Sequence, residues 1–205
     1  MNDDILDFSE LSPNHKYALL RPLEKLFLHH FAKSLQANTS IVEIGTFLGG
    51  CAVIMAYANP NINITTIDQY DSYLWNPNQK QMIDSASSGT KQKRDLKLVQ
   101  NINSYKNITF LHGKSPIDFA NWSDTIDIYI EDGTHSGEIL ADNIGFWTNK
   151  LKNKGYILLH DYRTYLPIDH KLRFKDVENH ANNLQKIYRY DFIGVYGDYI
   201  VLRKP

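Results

Sequence analysis

The stretch from Ile126 to Tyr162, IDIYIEDGTHSGEILADNIGFWTNKLKNKGYILLHDY, decides the fold. Ile126 to Ile130 is a short apolar run that stops at a polar turn, Glu131-Asp132-Gly133-Thr134-His135. Such a run reads as a buried strand. From Gly137 to Leu151 the period changes. Leu140, Ile144, Trp147 and Leu151 recur at spacings of four, three and four, which puts them on one face of a helix. Ser136 is placed to cap its start, and Lys154-Gly155 to end it. Tyr156 to Leu159 is a second apolar run, stopping at His160-Asp161-Tyr162. A strand, a crossover helix and a further strand imply two parallel neighbours in one sheet.

The same alternation extends outward. Ser40 to Ile44 reads as a strand, Gly49 to Ala58 as a helix ended by Asn59-Pro60, and Asn63 to Ile67 as a strand. Asp95 to Tyr105 reads as a helix and Ile108 to Leu111 as a strand. Downstream come a helix over Phe174 to Leu184 and strands over Ile187 to Val195 and Tyr199 to Leu202. Gly197-Asp198 between them suits a type II′ hairpin turn. Upstream, apolar residues at helical spacing from Tyr17 to Leu35 predict one or two helices broken near Pro22. The expected architecture is a single α/β unit: a helical extension over 1–38, then a doubly wound, mostly parallel seven-stranded sheet over 39–205 with an antiparallel C-terminal hairpin strand.

Composition bounds the function. The 205 residues carry a net charge of -1, so no basic footprint for nucleic acid stands out. One cysteine, Cys51, excludes an internal disulfide. The opening MNDDILDFSE lacks the basic and apolar regions of a signal peptide, and no apolar run approaches the roughly 20 residues of a membrane span. A cytoplasmic protein with no membrane partner is the expectation. Residues 69–90 are polar, aromatic and turn-rich, as loops of that length usually are when they serve function or lack order.

Doubly wound sheets bind ligands beyond the carboxyl ends of their strands, and polar residues cluster there. After the first strand come Glu43, Gly45, Thr46 and Gly49. The glycines allow a tight turn and close approach to a ligand, and the buried-strand carboxylate suits a positive amine or its own local donors. The spacing is not that of the dinucleotide fingerprint. After the second strand come Asp68 and Gln69, about where an acid would hold ribose hydroxyls. After the third come Gly113, Lys114 and Ser115, which fit an adenine edge or an ordinary turn. After the fourth and fifth, Asp132, Gly133, His135, His160 and Asp161 converge. Carboxylates with histidine can hold a divalent metal, and a histidine can take a proton from a hydroxyl. His135 and His160 also fit a plainer role as helix caps or cleft edges.

Four segments, IVEIGTFLGG, TTIDQYD, ITFLHGKSPID and the stretch quoted first, resemble class I S-adenosylmethionine-dependent methyltransferases. The likeness is to the group of macrocin, sugar and other small-molecule O-methyltransferases and covers about residues 40 to 165. It implies a Rossmann-like fold with Glu43, Gly45, Thr46 and Gly49 at the methionine end of the cofactor, and Asp68 and Gln69 at the ribose. It places Gly113, Lys114 and Ser115 near adenine, and Asp132 and Gly133 on the sulfonium side. His135 is the implied general base, and Asp161 is the second implied catalytic residue. Asp132 and Asp161 are the implied ligands for magnesium. The departures are Thr134, where relatives often carry an acid, Tyr162, where metal-binding relatives usually offer a second acid or amide, and Lys114 in place of a common acid.

The expected activity is therefore S-adenosylmethionine-dependent methylation of a hydroxyl on a small-molecule acceptor, with Tyr70, Tyr73 and Trp75 either stacking on that acceptor or packing their own segment. A homodimer contact through the N-terminal helices is expected by the same resemblance. The rivals are a nicotinamide oxidoreductase, which would need the missing glycine fingerprint, a sheet that has lost its chemistry, and a methylase of nucleic acid or protein.

Overall fold

The computed structural model describes residues 8–69, 101–135, 137–162 and 175–205. Tyr70, Tyr73, Trp75, Ser136 and most of the helix expected over 95–105 lie outside them. Helix α1 spans Pro22–Lys33. The proline that would break a helix interior instead begins this one, where its missing N–H costs nothing. Strand β1 (Ser40–Ile44), helix α2 (Gly50–Ala58), β2 (Asn63–Asp68), β3 (Ile108–His112) and β4 (Ile126–Glu131) follow. Helix α3 (Gly137–Lys150), β5 (Leu151–Leu159), helix α4 (Lys175–Lys186), β6 (Asp191–Tyr196) and β7 (Tyr199–Arg203) complete the chain.

The sheet has seven strands in the order β3-β2-β1-β4-β5-β7-β6. β1 to β5 are parallel, while β7 runs antiparallel to both β5 and β6. From β1 the chain winds outward to β2 and β3, then returns to place β4 on the other side of β1. That reversal opens a crevice at the carboxyl ends of β1 and β4. The central strands are buried on both faces, as continuous β-branched runs require. On one face Leu140, Ile144 and Trp147 of α3 pack with Val177, Ala181 and Leu184 of α4 against Val42, Tyr129 and Ile157. On the other, Leu28 and Ala32 of α1 and Ala52, Met55 and Ala56 of α2 cover Ile41, Ile64, Ile128 and Leu158. The N-terminal segment thus shares the core of the sheet.

Two boundaries differ from the periodic reading, each for a local reason. The fifth strand begins at Leu151 rather than Tyr156, and Leu151 leaves α3 to pair with Ile126. Residues 152–155 then bulge, with Lys154 at φ +65, before the ladder resumes at Ile128 and Tyr156. Lys204 seals this bulge: its N–H donates to the Gly155 carbonyl, its carbonyl accepts from Lys154, and its Nζ donates to the Thr148 and Leu151 carbonyls at 2.9 and 2.7 Å. The sixth strand begins at Asp191 rather than Ile187, because α4 runs to Lys186 and ends in a left-handed turn at Arg189, φ +60. The two-residue hairpin at Gly197-Asp198 has a positive φ only at Gly197, the pattern of the expected type II′ turn.

Candidate active site

The loop after β1 meets the loop after β4 at the crevice. Gly45 has φ +98, and a β-carbon there would lie 2.3 Å from the Asp132 carbonyl oxygen. No other residue tolerates both the conformation and the contact. The next turn, with Phe47 at φ +48 and Gly49 at φ +74, delivers the chain into α2. Asp68, at the tip of β2, holds that turn: its Oδ2 accepts the Phe47 N–H at 3.0 Å. The Asp68 carbonyl accepts the Gly113 N–H, and the Gln69 carbonyl accepts from His112 Nε2 at 2.9 Å. Glycine turn, Asp68, Gln69 and Gly113 therefore line one continuous rim.

Behind the rim lies a buried polar column. Glu43 is fully buried, and its Oε2 accepts from the Thr66 hydroxyl at 2.6 Å. Thr66 lies a further 2.6 Å from the Thr46 hydroxyl, so Thr46 faces inward and supports Glu43. Among the described residues, Glu43 Oε1 takes no hydrogen bond. Burial, with the nearby Asp132 and Asp68 carboxylates adding to it, pushes the Glu43 carboxyl up to about 8. A buried carboxyl beside a glycine cradle fits a ligand that brings a donor, such as an amine. This donor set fits the methionine end and ribose of S-adenosylmethionine.

The loop after β3 is tied down at Lys114 and Ser115. The Lys114 N–H donates to Asp118 Oδ2 at 2.7 Å. The buried Ser115 hydroxyl donates to Asn143 Oδ1 at 2.8 Å and accepts from Trp147 Nε1 at 2.9 Å. It locks the β3 loop onto α3.

The turn after β4 is built on Glu131. Its Oε1 accepts the Gly133 and Thr134 N–H groups, both at 3.2 Å, and its Oε2 accepts the Tyr129 hydroxyl. Burial raises this carboxyl to about 7, against the pull of those donors. The turn presents Asp132 and His135 to the tip of β5. There Asp161, in the left-handed region at φ +59, stands with Oδ2 2.6 Å from His135 Nε2. Strain of that kind costs on the order of 1–3 kcal/mol in a non-glycine residue, and it is stored where the carboxylate meets the imidazole. Asp132 Oδ1 lies 2.8 Å from His160 Nδ1. His160 Nε2 in turn lies 3.5 Å from Glu24 Oε2, contributed by α1. Burial disfavours the charged ring, but Asp132 first, then Glu24 and Asp161, outweigh it and raise His160 well above the ordinary imidazole range.

The expected ligands for magnesium, Asp132 and Asp161, come together, yet each is closed on an imidazole. Among the described residues, the cluster whose ligand atoms lie within 4.8 Å of one another is Asp132, His135 and His160. Magnesium demands octahedral oxygen ligands, and a set with two imidazoles does not fit it. Sequence reading also left Glu24 unnoticed. Its signal was a charge four positions before Leu28, on a face that is otherwise apolar. Trp147 and Asn143 were readable only as helix residues, because their polar atoms meet Ser115 across 32 and 28 positions of sequence.

The comparisons agree with this geometry. A family model described as a methyltransferase domain matches residues 42–162. No curated protein sequence matches the chain. Among solved structures, the SAH-bound Podospora anserina methyltransferase PaMTH1 superposes with TM-score 0.64 at 13% identity, covering 95% of this chain and 82% of that one. The O-methyltransferase NovP gives 0.62 at 14%, covering 92% and 82%. TomG, an O-methyltransferase from Streptomyces achromogenes involved in tomaymycin synthesis and solved with SAM, gives 0.57 at 17%, covering 92% and 81%. At such identities the structures speak for the fold, while the family match spans more than half the chain. The chain belongs to the methyltransferase-domain family and is a class I S-adenosylmethionine-dependent methyltransferase.

Proposed function

We propose that the chain methylates a hydroxyl of a small molecule, such as a sugar, a phenol or a natural-product intermediate, with His135 as general base. The observation that carries this reading is the His135–Asp161 pair at the rim, 2.6 Å apart and open enough on the His135 side, at 25% exposed, for an acceptor to reach. S-adenosylmethionine supplies an already electrophilic methyl group, so the protein mainly has to align the acceptor and exclude water. The Asp161 carboxylate, 2.6 Å from Nε2, orients the His135 ring. His135 then takes the hydroxyl proton as the oxygen attacks. Asp161 stabilises the resulting imidazolium, and Glu131 holds the turn that aims His135. The O-methyltransferase neighbours NovP and TomG lend support to a hydroxyl acceptor.

The test is SAH formation from S-adenosylmethionine over a panel of sugar and phenolic hydroxyl compounds, with and without a chelator. His135→Ala should lose about 10²-fold or more in turnover while retaining SAH binding. Unchanged turnover in that variant refutes the base assignment. A chelator should have no effect. Loss of turnover on chelation would replace the free base with a borderline metal ion on Asp132, His135 and His160.

A further inference from the structure

Apolar surface is concentrated on the C-terminal edge of the sheet. Among the described residues, eight of the eleven large apolar side chains left exposed lie there: Leu19 and Leu23 at the start of α1, Ile187 and Tyr188 just past α4, and four of the six residues of β6. Among those residues, too, β6 is the last strand, with no neighbour beyond it. The patch runs without a break. Leu23 and Phe27 lie four apart on α1, and the Phe27 ring stacks on Tyr196 of β6 with centroids 4.4 Å apart. Tyr196 closes over Gly194, where a β-carbon would lie 2.9 Å from its ring. The turn carrying Ile187 and Tyr188 leads into β6 from the α4 side. With a full side chain of this size offering roughly 200 Å², exposures of 38 to 65% leave about 800 Å² of the eight open to solvent. The largest apolar patch on a monomeric protein is usually about 300–600 Å², and a stable complex covers about 800 Å² on each partner.

We propose that this edge is the contact face of a homodimer, with a second copy of the chain laid antiparallel along β6 about a two-fold axis at Ile193 and Gly194. The register of β6 makes the strand fit itself. Phe192 and Val195 pair with Leu202 and Ile200 and share the α4 face of the sheet. Asp191 and Tyr196 pair with Arg203 and Tyr199 and share the α1 face. Ile193, the extra residue of a bulge, is what gives residues three apart the same face. A two-fold rotation therefore sets Phe192 of each copy against Val195 of the other, apolar on apolar. The charges flanking the strand are neutralised within each chain, Asp191 by Arg203 at 3.0 Å and Asp198 by Arg21 at 3.1 Å, so two copies meet without like charges opposed. The bulge interrupts the ladder in the middle of the edge, so side-chain packing carries the contact. An isologous contact uses each edge once, and association stops at two copies.

The experiment is sedimentation velocity of the full chain over a concentration series, on wild type, Phe192→Glu, Leu23→Glu and Tyr57→Glu. Tyr57 is an exposed apolar residue of α2 away from the edge and serves as the control. Wild type should sediment as a dimer with a Kd of about 10 μM or tighter. Phe192→Glu and Leu23→Glu should each weaken it at least about tenfold, while Tyr57→Glu leaves it unchanged. A short bismaleimide should join two copies of Ile193→Cys at the axis. It should leave wild type, whose one thiol is Cys51, and Tyr57→Cys unjoined. If a glutamate variant does not fold, this cross-link decides. A monomeric wild type overturns the proposal; flotation of that monomer with phosphatidylcholine vesicles would make a lipid surface the occupant, and no flotation would leave the edge to the chain's own residues. A dimer unmoved by both edge glutamates, or one that leaves Ile193→Cys unjoined, has its interface elsewhere and overturns the proposal as well.

Discussion

Gly45→Ala is the sharpest probe of the crevice. The added β-carbon would lie 2.3 Å from the Asp132 oxygen, 2.5 Å from its carbonyl carbon and 2.7 Å from the Gly133 nitrogen, against an ordinary contact of 3.4 Å or more. All three are backbone atoms, so no side chain can swing aside. The loops after β1 and β4 must part by about 1 Å, and the alanine must also hold φ +98, at a cost on the order of 1–3 kcal/mol. Together with overpacking, the expected loss of stability is about 2–4 kcal/mol. The function suffers separately, because the parted loops carry the proposed cofactor cradle on one side and Asp132 with the proposed base His135 on the other. A 1 Å misplacement in such a site can cost about 10²-fold. Urea unfolding measures the first effect, and titration with SAH the second, with at least about tenfold weaker binding expected. A variant that unfolds at the wild-type midpoint and binds SAH within about twofold of wild type would refute the claim that this contact builds the site.

Two further outcomes follow from buried polar groups. Ser115→Ala removes the hydroxyl shared by Asn143 and Trp147, leaving a buried acceptor and a buried indole N–H. It should cost about 2–4 kcal/mol by denaturant unfolding while SAH affinity stays within about twofold; a selective loss of affinity would show that the hydroxyl touches the ligand. Glu43 and Glu131 have folded-state values raised to about 8 and about 7 from an ordinary 4.5. The folded chain then holds more protons than the unfolded one, so stability falls as pH rises from about 5 to 8. Glu43→Gln should flatten that slope in urea titrations at pH 5 and pH 8. A slope left as steep as in wild type would exclude Glu43 as its source.

The interior strands and α3 were legible because each is buried by its own neighbours in sequence order. Five short apolar runs separated by helical periods leave little choice but a parallel sheet, and parallel sheets place their chemistry after the strands. Glu43, Asp68, Asp132, His135 and Asp161 could be picked out that way. What each side chain does there was not legible. That Trp147 and Asn143 come across from α3 to hold the Ser115 hydroxyl was not legible. His160 looked like a cleft edge until Glu24 arrived from α1.

Local sequence therefore determined the order of elements, the sheet's handed winding and the rim on which the polar residues stand, since periodicity and turn chemistry act over a few residues. Tertiary structure alone decided the partners: Glu24 with His160, His160 with Asp132, His135 with Asp161, and Glu43 with a buried oxygen left open. Those pairings join residues from distant parts of the chain, and the charge each site group carries depends on burial and neighbours that no local pattern encodes.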